Sequence, residues 1–401
     1  MVVTPGVARR ALTSRDRQGV VYVGRSLAVA ARYTRLKLVA FLGAPAPRAP
    51  SRPRHSRRAR ASLFWFVAGA ALLHAGAVLA TEAWPQLRDP EYGRRARELR
   101  ARTAKHPDRP LVVVIGSSRV SMGVKPDAWE AVRPGTPHDP LLFNMGAYGA
   151  GPVQELITMH RVFADGFRPA VVLLEYCPML LRQDGRFGDS ARLDPRRLRW
   201  SDRTVVRNYF ADPDGAERRM RAARLNVFAE NRERWMLQAV PEWVSKFGAR
   251  NGGWVGLDQW GWTPGMDVLP HDAATRRMLI EHNREDVHGR FDGHTIDPNS
   301  DRALREAVAV ARAHGSRVGF LYLPESVEFQ SWYPAPVERA ARTHLAGLER
   351  DLGVPIINAR DWMSDDQLAD GFHLSRVGAG SFTERLGLAV GARFPVTGGR
   401  P

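Results

Sequence analysis

The sequence predicts an α/β domain over residues 110–391, with three α/β/α layers around a five-stranded parallel sheet in flavodoxin-like order. Three observations lead there. Runs such as Leu111–Ile115 (LVVVI) and 170–176 (AVVLLEY) are apolar almost throughout, as strands covered on both faces must be. Segments with helical spacing separate these runs. Loops rich in Gly, Ser and Asn follow the strands, where open parallel sheets place their ligand crevices.

Residues 1–61 precede this pattern and read as a basic, disordered leader. Residues 1–60 carry 14 Lys/Arg against the single acid Asp16, so most of the chain's net charge of +17 resides there. The body keeps only about +4, and no base-reading or stacking pattern accompanies it, which argues against a nucleic-acid partner. Residues 62–83 read as a transmembrane helix. Residues 63–80 (LFWFVAGAALLHAGAVLA) carry no formal charge and, at about 1.5 Å per residue, nearly match a hydrocarbon core of roughly 30 Å. Arg52, Arg54, Arg57, Arg58 and Arg60 stand before it, so the positive-inside rule keeps the N-terminus cytoplasmic and the large C-terminal part outside. The expected location is the cell membrane, single-pass. Two other readings stay open: a signal peptide cleaved after Val78-Leu79-Ala80, which would release the protein, or a buried core helix.

Residues 84–109 are polar and partly helical in composition, and read as a stalk. The first strand, Leu111–Ile115, leads to a short helix over 126–132. A second strand follows over 141–143, then a helix over 153–163 and a third strand over 170–176. The alternation lapses through an insert over 179–299. It resumes with a helix over 301–314, where Leu304, Ala307, Val308 and Ala311 share one face. A strand over 318–323, a helix over 336–352, a strand over 354–357 and a closing helix over 377–388 complete it, leaving 392–401 as a tail. Cys177 is the only cysteine, which excludes an intrachain disulfide and reads as a small buried group.

Chemistry-bearing residues gather at the strand ends. Gly116-Ser117-Ser118-Arg119 follows the first strand, Asn144-Met145-Gly146-Ala147-Tyr148-Gly149 the second, and Asp370-Gly371-Phe372-His373 stands beyond the fifth. A serine hydroxyl becomes nucleophilic when an imidazole takes its proton, and the imidazole needs an acceptor to fix its tautomer. Backbone N–H groups of a glycine turn suit a developing oxyanion. The set therefore suits acyl transfer and requires no cofactor or metal.

These blocks resemble the SGNH, or GDSL-like, hydrolases. The resemblance implies the SGNH hydrolase fold, with Ser118 as nucleophile, His373 as base and Asp370 as its partner. It also implies the amides of Ser118 and Gly149 as oxyanion donors, with Asn144 in support. The membrane-tethered layout is similar to the branch holding alginate O-acetyltransferase-like and D-alanyl transfer envelope proteins. That similarity implies an acylated polysaccharide or other acyl ester as partner. One block departs: where the family has Gly-x-Asn after the third strand, this chain has Glu175-Tyr176-Cys177, so a side-chain donor is missing. Such a loss costs on the order of 10²–10³ in rate and leaves a non-catalytic glycan-binding or scaffolding protein as the alternative. Glu175 is expected to pair with Arg119.

Plainer readings stand beside these. Ser118 can be a helix cap, and Asp370 with His373 a helix-entry pair. The order Gly-x-x-Gly-x-Gly at 146–151 does not fit a dinucleotide fingerprint. Trp200, Trp235, Trp243, Trp254, Trp260 and Trp262 either stack on sugars or pack the insert's own core. His282, Asp286, His288, Asp292 and His294 lie along what reads as irregular loop, a poor frame for a metal.

Overall fold

A computed structural model describes residues 55–132, 139–244, 253–265, 268 and 271–395. Residues 1–54 of the leader and 396–401 of the tail lie outside the described residues, while 55–61, expected as disordered leader, are helical. The chain divides into two units, Met1–Ala70 and Ala71–Pro401. The described part of the first is the opening of helix α1 (His55–Ala83), where Leu63, Phe64, Trp65 and Phe66 all stand bare. In the second unit α1 continues with Leu72, Leu73 and Leu79 equally bare. This excludes the buried core helix, and the segment Arg57–Ala83 is long and apolar enough to cross a membrane. The helix stops before Pro85, because Trp84 is forced into extended backbone.

Helix α2 (Pro90–Lys105) corrects the expected stalk over 84–109. Its start is capped by the Asp89 side chain, which accepts from Tyr92 N, with Pro90 at the first helical position. Tyr92, Ala96 and Leu99, spaced i, i+4 and i+7, join the core of the sheet domain. The arginines around this stripe disguised it. One of them, Arg95, is itself buried, donating to Gly261 O at 3.1 Å and Ser121 Oγ at 2.8 Å.

The sheet domain then runs β1 (Leu111–Ile115), α3 (Ser118–Gly123), α4 (Pro126–Val132), β2 (Leu141–Asn144), α5 (Pro152–Ala164) and β3 (Val171–Glu175). After an insert come α9 (Pro298–Ala313), β4 (Arg317–Tyr322), α10 (Ala335–Leu352), β5 (Ile356–Asn358) and α11 (Arg376–Arg393). All five strands are parallel in the order β2-β1-β3-β4-β5, with Val113 opposite Phe143 and Val172. This is the expected flavodoxin-like order. The strand pleat sends Leu111, Val113 and Ile115 into a core with α2, α5, α9 and α10, and Val112 and Val114 into a second core with α4 and α11. Each side chain so buried contributes about 1.5–3 kcal/mol, enough to fix the strand register against a one-residue slip. Helix α11 outruns the expected tail boundary: Phe394 is buried and closes the second core.

The insert is largely helical, not irregular. It holds α6 (Pro213–Leu225), α7 (Val227–Ala239) and α8 (Ala273–Phe291), which carries His282 and His288. The tryptophans divide. Trp254, Trp260 and Trp262 are buried. Trp260 O accepts from Asn144 N and Trp262 Nε1 donates to Met122 O, so two of these seal the sheet domain, not a core of the insert. Trp200 and Trp243 remain exposed.

Candidate active site

The loop after β1 turns directly into α3. Ser117 is the N-cap, its hydroxyl accepting from Arg119 N, and Ser118 is the first helical residue. The Ser118 N–H therefore belongs to the helix-opening donors that have no intrahelical partner. The loop after β2 is pinned beside it: Met145 N donates to Val114 O and Ala147 N to Gly116 O, both at 2.8 Å. The approach requires glycine at 146, since a Cβ there would lie 2.4 Å from Ser121 N. Two residues past Ala147, Gly149 turns the chain at φ +71°.

Asn144 braces the glycine turn. Fully buried, it donates from Nδ2 to Val120 O and Val124 O at 2.7 and 2.6 Å, and its Oδ1 accepts from Gly146 N at 2.8 Å. It satisfies carbonyls at the end of α3 and ties that helix to the glycine turn.

The third loop brings Asp370 and His373 to Ser118. Gly371 sits at φ +96°, which only glycine adopts readily, and this sharp turn folds His373 back over Asp370. Ser118 Oγ lies 2.8 Å from His373 Nε2, and His373 Nδ1 lies 2.8 Å from Asp370 Oδ2. Asp370 is buried, and its Oδ1 accepts from His373 N at 2.8 Å and Phe372 N at 3.3 Å. Burial alone would raise its pKa. The adjacent His373 and these hydrogen bonds outweigh that and hold it below the usual carboxylate value. A separation of 255 residues thus closes into one hydrogen-bonded chain.

A fourth member of this chain went unnoticed in the sequence. Asn283 Nδ2 donates to Asp370 Oδ2 at 2.7 Å, the same oxygen that faces His373. Asn283 stands on α8, whose Ile280, Val287 and Phe291 pack in a cluster with Phe329 and Phe372. Ile280, Asn283, Val287 and Phe291 follow i, i+3, i+7, i+11, so Asn283 is the polar residue of an apolar stripe. That interruption was the available signal. Asn283→Ala is expected to leave Asp370 one donor short and lower kcat about 10-fold with KM little changed, while Asn283→Asp, placing two carboxylates together, loses more; steady-state kinetics on an activated ester check both.

Arg119 is expected beside Glu175, and the structure enlarges the pair. Its Nη1 is 3.8 Å from Glu175 Oε1 but 3.4 Å from Glu325 Oε1, and all three side chains are essentially buried. Its guanidinium also donates to Leu323 O and Pro324 O at 3.0 Å, and to Phe372 O at 3.3 Å, the carbonyl just before His373. Burial works against the charge on Arg119, but the surrounding acids win and hold it cationic. Glu175 accepts from Ser117 N at 2.5 Å. Burial is the largest influence on it and raises its pKa, against the opposing pull of Arg119 and the Ser117 hydrogen bond. Cys177, after β3, offers no side-chain donor to the crevice: its sulfur faces Arg119 Nη1 at 3.2 Å, and burial pushes its thiol up to about 12.

Glu155 on α5 lies nearby, buried, with no partner for Oε2 among the described residues. Burial, then Glu175 and Asp189, raise its pKa well above the ordinary range. The folded state thus holds a proton that the unfolded chain releases above about pH 4.3, and stability falls as pH rises beyond that value. Glu155→Gln is expected to raise Tm more at pH 8 than at pH 5. An equal or opposite change at the two values in thermal melts would contradict the neutral carboxyl.

No family model matches the chain, and no curated protein matches it. Among solved structures it is similar to a protein provisionally named an acylhydrolase from Bacteroides fragilis NCTC 9343. The identity is 11% and the TM-score 0.31, covering 73% of this chain and 94% of that one. It is also similar to a GDSL-like lipase from Bacteroides thetaiotaomicron VPI-5482, at 10% identity and TM-score 0.30, covering 75% and 100%. Overlaps of this extent do not identify a reaction.

Proposed function

We propose that this protein is a membrane-anchored serine esterase or O-acyltransferase. The observation that carries the reading is the continuous chain Ser118 Oγ, His373, Asp370, with 2.8 Å at each link and Ser118 at a helix opening. Ser118 Oγ attacks an acyl carbonyl while His373 Nε2 takes its proton, and Asp370 holds the proton on Nδ1. The amides of Ser118 and Gly149 receive the oxyanion. Collapse expels the alcohol, which takes the proton from His373, and leaves the acyl group on Ser118. An acceptor hydroxyl, from water or a sugar, then gives its proton to His373 and carries the acyl group away.

The substrate class, an acyl ester of an envelope or extracellular polysaccharide, follows from the likeness to alginate O-acetyltransferase-like and D-alanyl transfer proteins. Anchoring through α1 with the catalytic unit outside the cytoplasm follows from the arginines preceding Leu63 and the bare apolar helix. A second reading, a glycan-binding module without turnover, is favoured by Cys177, whose buried thiol replaces the third oxyanion donor. The two part on one experiment with the purified full chain: fluorophosphonate labelling, plus turnover of p-nitrophenyl acetate and acetylated xylan. Labelling at Ser118 with turnover supports the enzyme. Saturable binding of acetylated xylan by unlabelled, folded protein sinks it and leaves the module.

A further inference from the structure

We propose that the tip of the α6–α7 hairpin is a second membrane contact, a monotopic wedge lying in the bilayer beside α1. Within the second unit, His74, Ala77, Val78 and Thr81 of α1 are partly or fully covered, at i, i+3, i+4 and i+7, while Ala75, Gly76 and Leu79 stand free. The hairpin accounts for contacts along this covered side. Phe228 meets His74 edge-on at 6.3 Å, and Arg224 Nε reaches Glu82 Oε1 at 2.8 Å. Just beyond α1, Trp235 Nε1 donates to Leu87 O at 2.9 Å. The hairpin thus runs alongside the apolar helix instead of stopping at its end.

The level of that contact decides where the tip lies. Leu63–Ala80 offers about 27 Å of apolar helix, close to a hydrocarbon core of roughly 30 Å. Were the tip kept in water, the membrane would have to end near Leu73. Only about 16 Å of helix, half the required span, would then remain. The surface chemistry agrees with immersion. Leu225 is 80% exposed and Phe228 43% exposed, unusual for large apolar groups facing water. Arg218, Arg219 and Arg221 stand exposed one to two turns further up α6, at the height of lipid phosphates. Trp200, itself exposed, lies under the guanidinium of Arg224 at 5.3 Å, suiting the interfacial belt.

The inference rests on α1 being retained as an anchor, so the test separates the two. The full chain carrying Leu225→Cys, labelled with nitrobenzoxadiazole, is reconstituted into phosphatidylcholine–phosphatidylglycerol vesicles containing acyl-chain spin-labelled lipid. Met278→Cys, exposed on α8, and unsubstituted chain with its buried Cys177 serve as controls. Quenching at 225 at least threefold above that at 278 is expected, with the protein resisting carbonate extraction. Equal quenching in a carbonate-resistant protein overturns the wedge and leaves the anchor intact, whereas carbonate release removes both. Disulfide-linked Leu225→Cys dimers without lipid quenching would assign the patch to a second copy of the chain and overturn the proposal.

Discussion

Ser118→Ala is expected to lower kcat on an acyl ester by about 10⁴–10⁶, with His373→Ala falling to the same floor and the double variant no lower. The equality follows from the geometry. Ser118 Oγ and His373 Nε2 share one hydrogen bond, and among the described residues neither atom makes another. In the proposed mechanism, losing either leaves only binding and the proposed oxyanion donors, the amides of Ser118 and Gly149. KM should change by no more than a few-fold, because the hydroxyl and imidazole act in the transition state. Both variants should fold normally, since Ser118 and His373 are partly exposed and the Ser117 cap remains. Steady-state kinetics beside circular dichroism decide the matter. A Ser118→Ala protein with undiminished turnover would falsify the nucleophile assignment.

The second large effect falls on stability. Arg119→Met is expected to destabilise the protein by about 3–5 kcal/mol, because it strands Glu175 in the core without its cation, while Glu325 keeps only Arg360, at 2.7 Å. The loss also frees the carbonyls of Leu323, Pro324 and Phe372, which Arg119 joins at the carboxyl ends of the sheet. A fall in Tm of about 10 °C corresponds to this range. Adding Glu175→Gln to Arg119→Met should recover part of it, since one stranded charge is then removed. Arg119→Lys should recover little: an ammonium cannot span three carbonyls and two carboxylates in a fixed plane. Thermal melts of the four proteins check the order, and an unchanged Tm for Arg119→Met would rule out a stabilising cluster. Because Phe372 precedes His373, activity in the surviving folded fraction should also fall.

How legible all this was in the sequence varied with the type of signal. The parallel sheet was readable because each strand, buried on both faces, is written as an unbroken apolar run, and Leu111–Ile115 can be little else. That Ser118, Asp370 and His373 meet was readable because a serine and an Asp-x-x-His pair each follow a strand. A parallel sheet brings strand ends to one rim whatever the helices between them do. The apolar helix at 63–80 needed only its length and lack of charge.

Tertiary structure decided what depends on partners far apart in the chain. Residues 90–105 look like solvated linker, yet α2 buries Tyr92, Ala96 and Leu99, and its buried Arg95 finds Gly261 O and Ser121 Oγ, partners that composition does not reveal. Asn144, expected only in support, has partners in α3 and the glycine turn that the sequence does not reveal. Glu325 and Asn283 escaped notice because a polar residue declares its role only by what it touches: one sits beside Arg119, the other on Asp370. Local pattern fixes which segments become strands and helices through short-range sterics and burial. Which buried charges and amides find each other is settled by packing across hundreds of residues, where no local period records the answer.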